Sequence, residues 1–305
     1  EKKEEVKKCL VCNSHNISNV LTAFGIDFVQ CQNCTHVSQK FQISDESVYK
    51  FFEKDTEINC HLPDDQFQYR CEYINKPKIV ETMKLRKEMG LSNRCGNWLD
   101  IGCGAGDLLF QLRKDYEWNC IGIDISEPGV DIAKENGINA YHTDLFEYYN
   151  NHYNPDQRTD YLFDVISAMG YFDLVRHPVK HLETVKKMLK KGGLLMVDHP
   201  KFDSFTGDLM KTLPECAGRY CNALERSIYT EKSMKYFLEN NGFQIILDWK
   251  YGLDIYTFIS TIILKIPQLH QSPIIKYLLE KNDHFQNIID SDGYSDTNYY
   301  VAKLL

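Results

Sequence analysis

The stretch WLDIGCGAGDLLFQL, residues 98–112, constrains this chain more than any other. The run NWLDI reads as a buried strand. GDLLFQLRKD behind it reads as a helix with Leu108, Leu109 and Leu112 on one face. Gly102, Gly104 and Gly106 lie between them. Without Cβ atoms the backbone there can turn sharply and let a ligand press against it. The spacing G-x-G-x-G is one residue shorter than the dinucleotide pattern G-x-G-x-x-G, so the loop alone leaves the ligand open.

The downstream acids narrow the choice. NCIGIDIS is a second strand ending in Asp124, placed to accept both hydroxyls of a ribose. INAYHTDLFEY supplies a third strand and a turn with Asp144, where an acid can receive an adenine amino group. YLFDVISAMGYF is a fourth strand. HLETVKKMLKKGGLLMVDHP is a helix, a Gly-Gly turn and a fifth strand. This alternation predicts an α/β, Rossmann-like fold with an open, mostly parallel sheet. Its ligand should lie over the carboxyl ends of the strands.

The front of the chain carries a different signal. Cys9 and Cys12 form one Cys-x-x-Cys pair, and Cys31 and Cys34 form another after an eighteen-residue gap. Two such turns aim four sulfurs at one ion, the tetrahedral set of a zinc site; redox-active pairs are the alternative. Four thiolates leave no open coordination position. The expected role is therefore structural: the metal replaces a core that so small a module cannot build. His15 and His36 nearby are expected on the surface rather than as ligands.

Together LDIGCGAGD, GIDIS, TDLFE and LKKGGLLMVDHP resemble the motifs of the class I S-adenosylmethionine (SAM) methyltransferases, over residues 96–200. The whole chain resembles a narrower group that has an N-terminal zinc-binding segment and works in sugar, surface-polysaccharide and antibiotic-sugar pathways. CLVCNSHN…VQCQNC, HPKFDS and IYTEKSMKYFLENNGFQIILDWKYG carry that second likeness. The resemblance implies a seven-stranded sheet. It places Gly102, Gly104 and Gly106 along the methionine and ribose end of SAM and Asp100 near its amino group. Cys103 belongs to the same loop as a small residue that fits. Asp124 would hold the ribose, Ile125 would flank the adenine, and Asp144 with Leu145 would read its edge. Met169 and Gly170 would face the sulfonium.

The sequence departs from the group where an acidic–His pair is common. Asp173 takes the acidic place in YFDLVRHP, but Leu174 stands where the histidine would be. Methyl transfer to a hydroxyl needs a group that takes its proton, and histidine is matched to neutral pH. His199 in VDHP is the first choice for base or acceptor-positioning group, and His177 the second. Asp173, Tyr171 and Arg176 are candidate acceptor contacts. Tyr69 and Arg70 are candidates for the cofactor's carboxylate. The sugar C-methyltransferases of the group carry a further C-terminal domain, so O- or N-methylation is the expectation here.

Three segments follow: a zinc module over residues 1–45, a helical linker or lid over 46–95, and the methyltransferase domain over 96–305. Residues 202–230 are expected as an acceptor lid. An insertion over about 253–297, with two helical stretches, is expected to cover the acceptor or pair two subunits. The net charge of −8 argues against gripping a nucleic-acid backbone, which leaves an RNA methyltransferase as the second reading. A SAM-binding assembly module without turnover is the third, and an NAD-dependent oxidoreductase is the rival at the level of fold. No apolar run is long enough to span a bilayer. Eleven cysteines, an odd number, suit the reducing cytoplasm better than a disulfide framework. The expected acceptor is a small polar molecule, most simply a sugar nucleotide or glycan sugar.

Overall fold

The computed structural model describes residues 3–54, 64–151, 162–219, 221 and 224–305. Residues 55–63 of the expected linker, and 220, 222 and 223 of the expected lid, lie outside that set. The front holds strands β1 (Glu4–Glu5), β2 (Ile17–Ala23), β3 (Ile26–Cys31), β4 (Val37–Gln39) and β5 (Phe41–Gln42). Helices α1 (Asp45–Lys54), α2 (Asp64–Tyr69) and α3 (Lys76–Glu88) follow, with a π-helical turn at Arg70–Asn75 between α2 and α3. The alternating unit is β6 (Asn97–Ile101), α4 (Asp107–Asp115), β7 (Asn119–Asp124), α5 (Glu127–Glu135), β8 (Asn139–His142), α6 (Leu145–Asn151), β9 (Phe163–Met169), α7 (Pro178–Met188) and β10 (Leu189–Pro200). The chain ends with α8 (Phe205–Thr212), β11 (Ser227–Ile228), α9 (Glu231–Glu239), β12 (Phe243–Tyr251), α10 (Asp254–Lys265), α11 (Pro273–Glu280), α12 (Asn282–Ser291) and β13 (Thr297–Leu304).

Seven strands form the central sheet in the order β12-β13-β10-β9-β6-β7-β8. β13 runs antiparallel to both its neighbours, and the β6–β10 set is parallel. The order reverses between β6 and β9, which opens a crevice at their carboxyl ends. Alternation along β6 explains the two layers. Trp98 packs with Ile79, Met83 and Leu109, while Leu99 and Ile101 pack with Leu182, Val185 and Phe237 on the other face. Trp98, Leu99 and Ile101 are at most 1% exposed, and each such burial stabilises the fold by about 1.5–3 kcal/mol.

The front module is not closed by its own residues. Its sheet runs β11-β4-β3-β2, so Ser227 and Ile228, from the chain after β10, pair with Ser38 and Val37. Arg226, 1% exposed, fastens the joint. Its guanidinium donates to Asp45 at 2.5 Å and to the Ile43 carbonyl at 3.0 Å. Its own backbone N–H donates to the Asp173 carbonyl at 2.9 Å. The boundary expected at residue 45 is thus a chain boundary, while the packing unit extends to residues 226–230.

The insertion folds as α10, α11 and α12 rather than as two helical stretches. The run SPIIKYLLEKNDHFQNIID breaks at Lys281, where the backbone leaves helical geometry with φ −106 and ψ 9. No described helix is long and apolar enough to cross a membrane.

Candidate cofactor site and metal centre

The three glycines of the loop do different work. All have positive φ, +76, +50 and +80 for Gly102, Gly104 and Gly106, a region that L side chains avoid. A Cβ on Gly106 would lie 3.0 Å from Ile138 and 3.2 Å from Ala133, so this glycine lets α4 seat against its neighbours. Among the described residues, a Cβ on Gly104 would meet nothing within 4 Å; that backbone is uncovered by them. Gly102 and Cys103 both donate to the Ile123 carbonyl, at 2.8 and 3.1 Å, which ties the loop to β7. The Cys103 side chain is 3% exposed and lies over Gly122, whose Cβ would fall 2.7 Å from its sulfur. Its thiol is turned into the core, so a ligand in the loop would meet only its backbone. Burial pushes that thiol well above the ordinary range.

Asp124 ends β7 with one carboxylate oxygen on the Gly104 N–H at 2.8 Å and the other on the Ser126 N–H at 2.7 Å. Burial pushes its carboxyl up, against the pull of those donors. Asp100 ends β6 at 4% exposure and accepts from the Ser167 hydroxyl at 2.5 Å; Ser167 accepts from the Trp98 indole at 2.9 Å. Burial raises the Asp100 carboxyl to about 8, with the Ser167 bond opposing. Asp144 accepts from the Phe146 and Glu147 N–H groups at 2.7 and 2.9 Å and so opens α6. Leu145 beside it is 2% exposed and belongs to the core. The Ile125 carbonyl lies 3.1 Å from the His142 ring.

Sequence reasoning missed Tyr49. It sits on α1 and donates to the second Asp144 oxygen at 3.3 Å, which brings the segment after the metal module to the edge of this groove. Nothing in a half-buried tyrosine on a short helix signals such a partner. It also missed an ion pair beneath the loop after β9. Lys78 donates to Asp198 at 2.5 Å, the other Asp198 oxygen accepts the Gly170 N–H at 2.8 Å, and Tyr251 donates to Asp198 at 3.2 Å. Lys78 lies 5.3 and 5.6 Å from the Tyr251 and Tyr299 ring centres. Burial would lower Lys78, but the Asp198 carboxylate outweighs it and the amine is held up. One signal was available: Lys78 shares the helical stripe of Ile79, Thr82, Met83 and Arg86, all buried.

Arg70, a candidate for the cofactor's carboxylate, spends its Nε on Asp107 at 2.7 Å, and Asn75 donates to the same oxygen at 2.9 Å. Asp107 is the first residue of α4. Tyr69 is 58% exposed and packs against Tyr73 instead, ring centres 5.0 Å apart and planes tilted by 33°.

The three residues expected to handle the acceptor are not brought together. His199 is 1% exposed, its ring stacked on Tyr300 at 5.8 Å and edge-on to Tyr229 at 5.5 Å. Its Nδ1 lies 2.9 Å from the Pro200 carbonyl and its Nε2 has no partner among the described residues. Burial lowers it to about 4. Alternation along β10 sends Asp198 to Lys78 and His199 to the opposite face, beneath the front module. Asp173 is 1% exposed, and burial holds its carboxyl well above the ordinary range. In this state neither side chain is open to an acceptor. His177, before the first turn of α7, is exposed, and partial burial still lowers it. Tyr171 hydrogen-bonds His181 at 2.7 Å and lies 3.7 Å from where a Gly102 Cβ would be. Arg176 pairs with Glu4.

In the front module the four sulfurs of Cys9, Cys12, Cys31 and Cys34 all lie within 4.8 Å of one another. Cys9 and Cys34 are 3.4 Å apart, and Cys12 and Cys31 3.5 Å. A tetrahedron with Zn–S bonds of about 2.3 Å has sulfurs about 3.8 Å apart, so the set fits. Asn13 and Thr35, each just past its Cys pair, turn left-handed at φ +58 and +66. His15 is exposed. His36, expected on the surface, is 2% exposed: it packs on Tyr229 at 4.7 Å and hydrogen-bonds Ser227 at 3.2 Å. The β11 addition covers it, which no local pattern announces.

A seven-stranded sheet with one antiparallel strand next to its edge, a glycine loop at the point of strand reversal and acids closing β6 and β7 define a class I SAM-dependent methyltransferase. The chain belongs to the methyltransferase-domain family, whose model matches residues 70–247. The fold is similar to that of magnesium protoporphyrin IX methyltransferase from Synechocystis PCC 6803, solved with bound SAH (S-adenosylhomocysteine): 11% identity, 86% of this chain and 100% of that one, TM-score 0.51. It is also similar to the plantazolicin methyltransferase BamL, solved with a triazolic desmethylPZN analog and SAH: 15% identity, 86% and 99% coverage, TM-score 0.50. At these identities the likeness concerns the fold. No curated protein sequence matches the chain.

Proposed function

We propose that the protein transfers the methyl group of SAM to a hydroxyl or amine of a small polar acceptor, a sugar nucleotide or glycan sugar. One observation carries the cofactor part: Gly104 is left uncovered by the described residues while its N–H is held by Asp124. A loop that bare, next to a carboxylate at the end of β7, is a seat for a nucleoside. SAM supplies an activated methyl and its leaving group. Asp124 would take the ribose hydroxyls, Ile125 and Asp144 the adenine, Asp100 the amino group, and Gly102, Gly104 and Met169 the rest, with Cys103 contributing backbone and Gly106 seating α4 beneath the loop. Arg70 keeps two guanidinium nitrogens beyond its Asp107 bond and would meet the carboxylate. The four cysteines would hold a structural zinc that braces the front module.

Among the three acceptor-side candidates, His177 has the solvent-facing ring, and it stands on the chain that leaves β9. Partial burial lowers its pKa, which favours the neutral ring that a base needs. His199 and Asp173 would then shape the floor behind it. The test incubates the purified protein with labelled SAM and a panel of sugar nucleotides and glycans, followed by mass identification of the product. Label on RNA instead, with transfer that weakens steeply as salt rises, would replace the sugar reading. SAH binding by calorimetry without any turnover would favour an assembly role.

A further inference from the structure

We infer that α1 roofs the nucleoside end of the cofactor groove and that its Tyr49 holds Asp144 for the adenine amino group; this rests on the SAM reading above. The two Asp144 oxygens have different duties. One accepts the Phe146 and Glu147 N–H groups and is committed to opening α6. The other has the Tyr49 hydroxyl at 3.3 Å. A carboxylate oxygen accepts two hydrogen bonds, so this one keeps a lone pair for an amine while Tyr49 fixes its direction. The bond is longer than the ~2.7–2.8 Å usual between oxygens, which leaves α1 room to settle onto a ligand.

Helical spacing explains how Tyr49 comes to be there. Asp45, Val48, Tyr49 and Phe52 share one face of α1. Val48 is buried on that face, while Glu46 and Lys50 pair on the outer one. The face is pinned one turn before Tyr49, where Asp45 accepts from Arg226 at the joint with the metal module. α1 also packs on α5, the helix that follows Asp124. Its reach extends to the glycine loop through Tyr171, whose ring lies 3.7 Å from where a Gly102 Cβ would be. Burial raises the Tyr171 hydroxyl, and Tyr49 and Asp144 add to the rise. Burial lowers its partner His181 to about 4, against the pull of Asp45 and Asp144. One face of α1 therefore meets Asp144 at one end and acts on Tyr171, beside Gly102, at the other. A nucleoside held by Asp124 would lie beneath it.

The donor pattern selects the base. Tyr49 gives its proton to Asp144, so Asp144 presents a lone pair and a negative charge. A ring amine fits that oxygen; a ring carbonyl is repelled by it.

Calorimetry with SAH and with S-inosylhomocysteine, which carries a carbonyl where adenine has its amino group, reads the proposal. Wild type should bind SAH roughly 30-fold tighter or better, since a site built for one hydrogen-bond pattern rejects the reverse. Tyr49→Phe loses one hydroxyl from a half-buried ring and keeps its packing. It should weaken SAH about tenfold, the worth of one hydrogen bond to a carboxylate, and the inosyl compound by less than about twofold. Hydrogen exchange on the same samples should show SAH slowing the amides of residues 46–54. The proposal fails if Tyr49→Phe binds SAH as wild type does, or if it weakens both ligands alike, as a merely structural role would. It fails too if SAH protects the loop at 102–107 and leaves α1 unchanged; in these three cases SAH still binds and the cofactor reading stands. A wild type that binds neither ligand removes the cofactor reading and the roof with it.

Discussion

The Asp124 carboxylate accepts the Gly104 backbone N–H at 2.8 Å, so the acid that ends β7 also sets the glycine loop that ends β6. Neither feature is independent of the other. Replacing Asp124 by Ala removes the proposed ribose acceptor and releases the loop at once. SAH affinity should fall about 100-fold, consistent with losing charge-assisted hydrogen bonds of about 1.5–3 kcal/mol. Calorimetry checks this, and an affinity within threefold of wild type would contradict it.

The glycines should separate by phenotype. Gly104→Ala meets no described atom, so its cost is backbone strain of about 1–2 kcal/mol, with SAH binding abolished because the methyl group occupies the ligand's space. Gly106→Ala adds overlap with Ile138 and Ala133 to a similar strain and should cost a further ~1–3 kcal/mol. Urea unfolding and SAH titration of both variants distinguish a binding glycine from a packing one. Equal stability losses would contradict the assignment.

Asp100 makes stability depend on pH. Its folded carboxyl is raised to about 8 from an ordinary 3.8, so between those values the unfolded chain is ionised while the folded one holds the proton. The contribution is fully present below about pH 4 and is lost as pH rises through about 8. Asp100→Asn carries no such proton. It should gain melting temperature relative to wild type as pH climbs from about 5 to 8. Parallel melting curves for the two proteins across that range would refute the raised carboxyl.

Lys78 and Asp198 form a buried ion pair, with side chains 5% and 14% exposed. Lys78→Met leaves Asp198 without its cation and should destabilise by about 3–5 kcal/mol. Asp198→Asn leaves the still more deeply buried Lys78 ammonium without its anion and should cost a similar amount. Chemical denaturation of the two variants checks this; a loss under about 1 kcal/mol in either would contradict the pairing.

Metal removal should reach past the front module. Because β11 completes that module's sheet and Arg226 joins it to Asp173, dissolving the thiol cluster exposes His36, Tyr229 and the underside of β10. The intact protein should contain one zinc per chain by mass spectrometry. Cys9→Ser with Cys34→Ser should lower the melting temperature of the whole chain in a single transition, by several kcal/mol of stability. Loss of the front alone, with the methyltransferase melting point unmoved, would contradict the coupling.

Much of the architecture was legible in the residues. Strand alternation, the glycine loop, the acids at strand ends and the paired Cys-x-x-Cys turns are local, because their chemistry depends on neighbours within a few positions. Asp100, Asp124 and Asp144 could be placed at the carboxyl edge on that basis alone. Side-chain direction was less legible. His199 stands at the right strand end, yet the pleat aims it away from Asp198's side, into Tyr229 and Tyr300. Period-two alternation was readable, but which face belonged to the groove depended on where α3 lay.

The sequence by itself determined the parallel sheet, the glycine loop and the four-sulfur cluster, since each is written in short-range spacing. Only the tertiary structure decided that Ser227 and Ile228 complete the front sheet, that Tyr49 meets Asp144 and that Lys78 is sealed under Tyr251. Those partners lie far apart along the chain, and their meeting is set by how whole layers dock. Burial and partner choice are properties of that docking, which no local pattern of residues encodes.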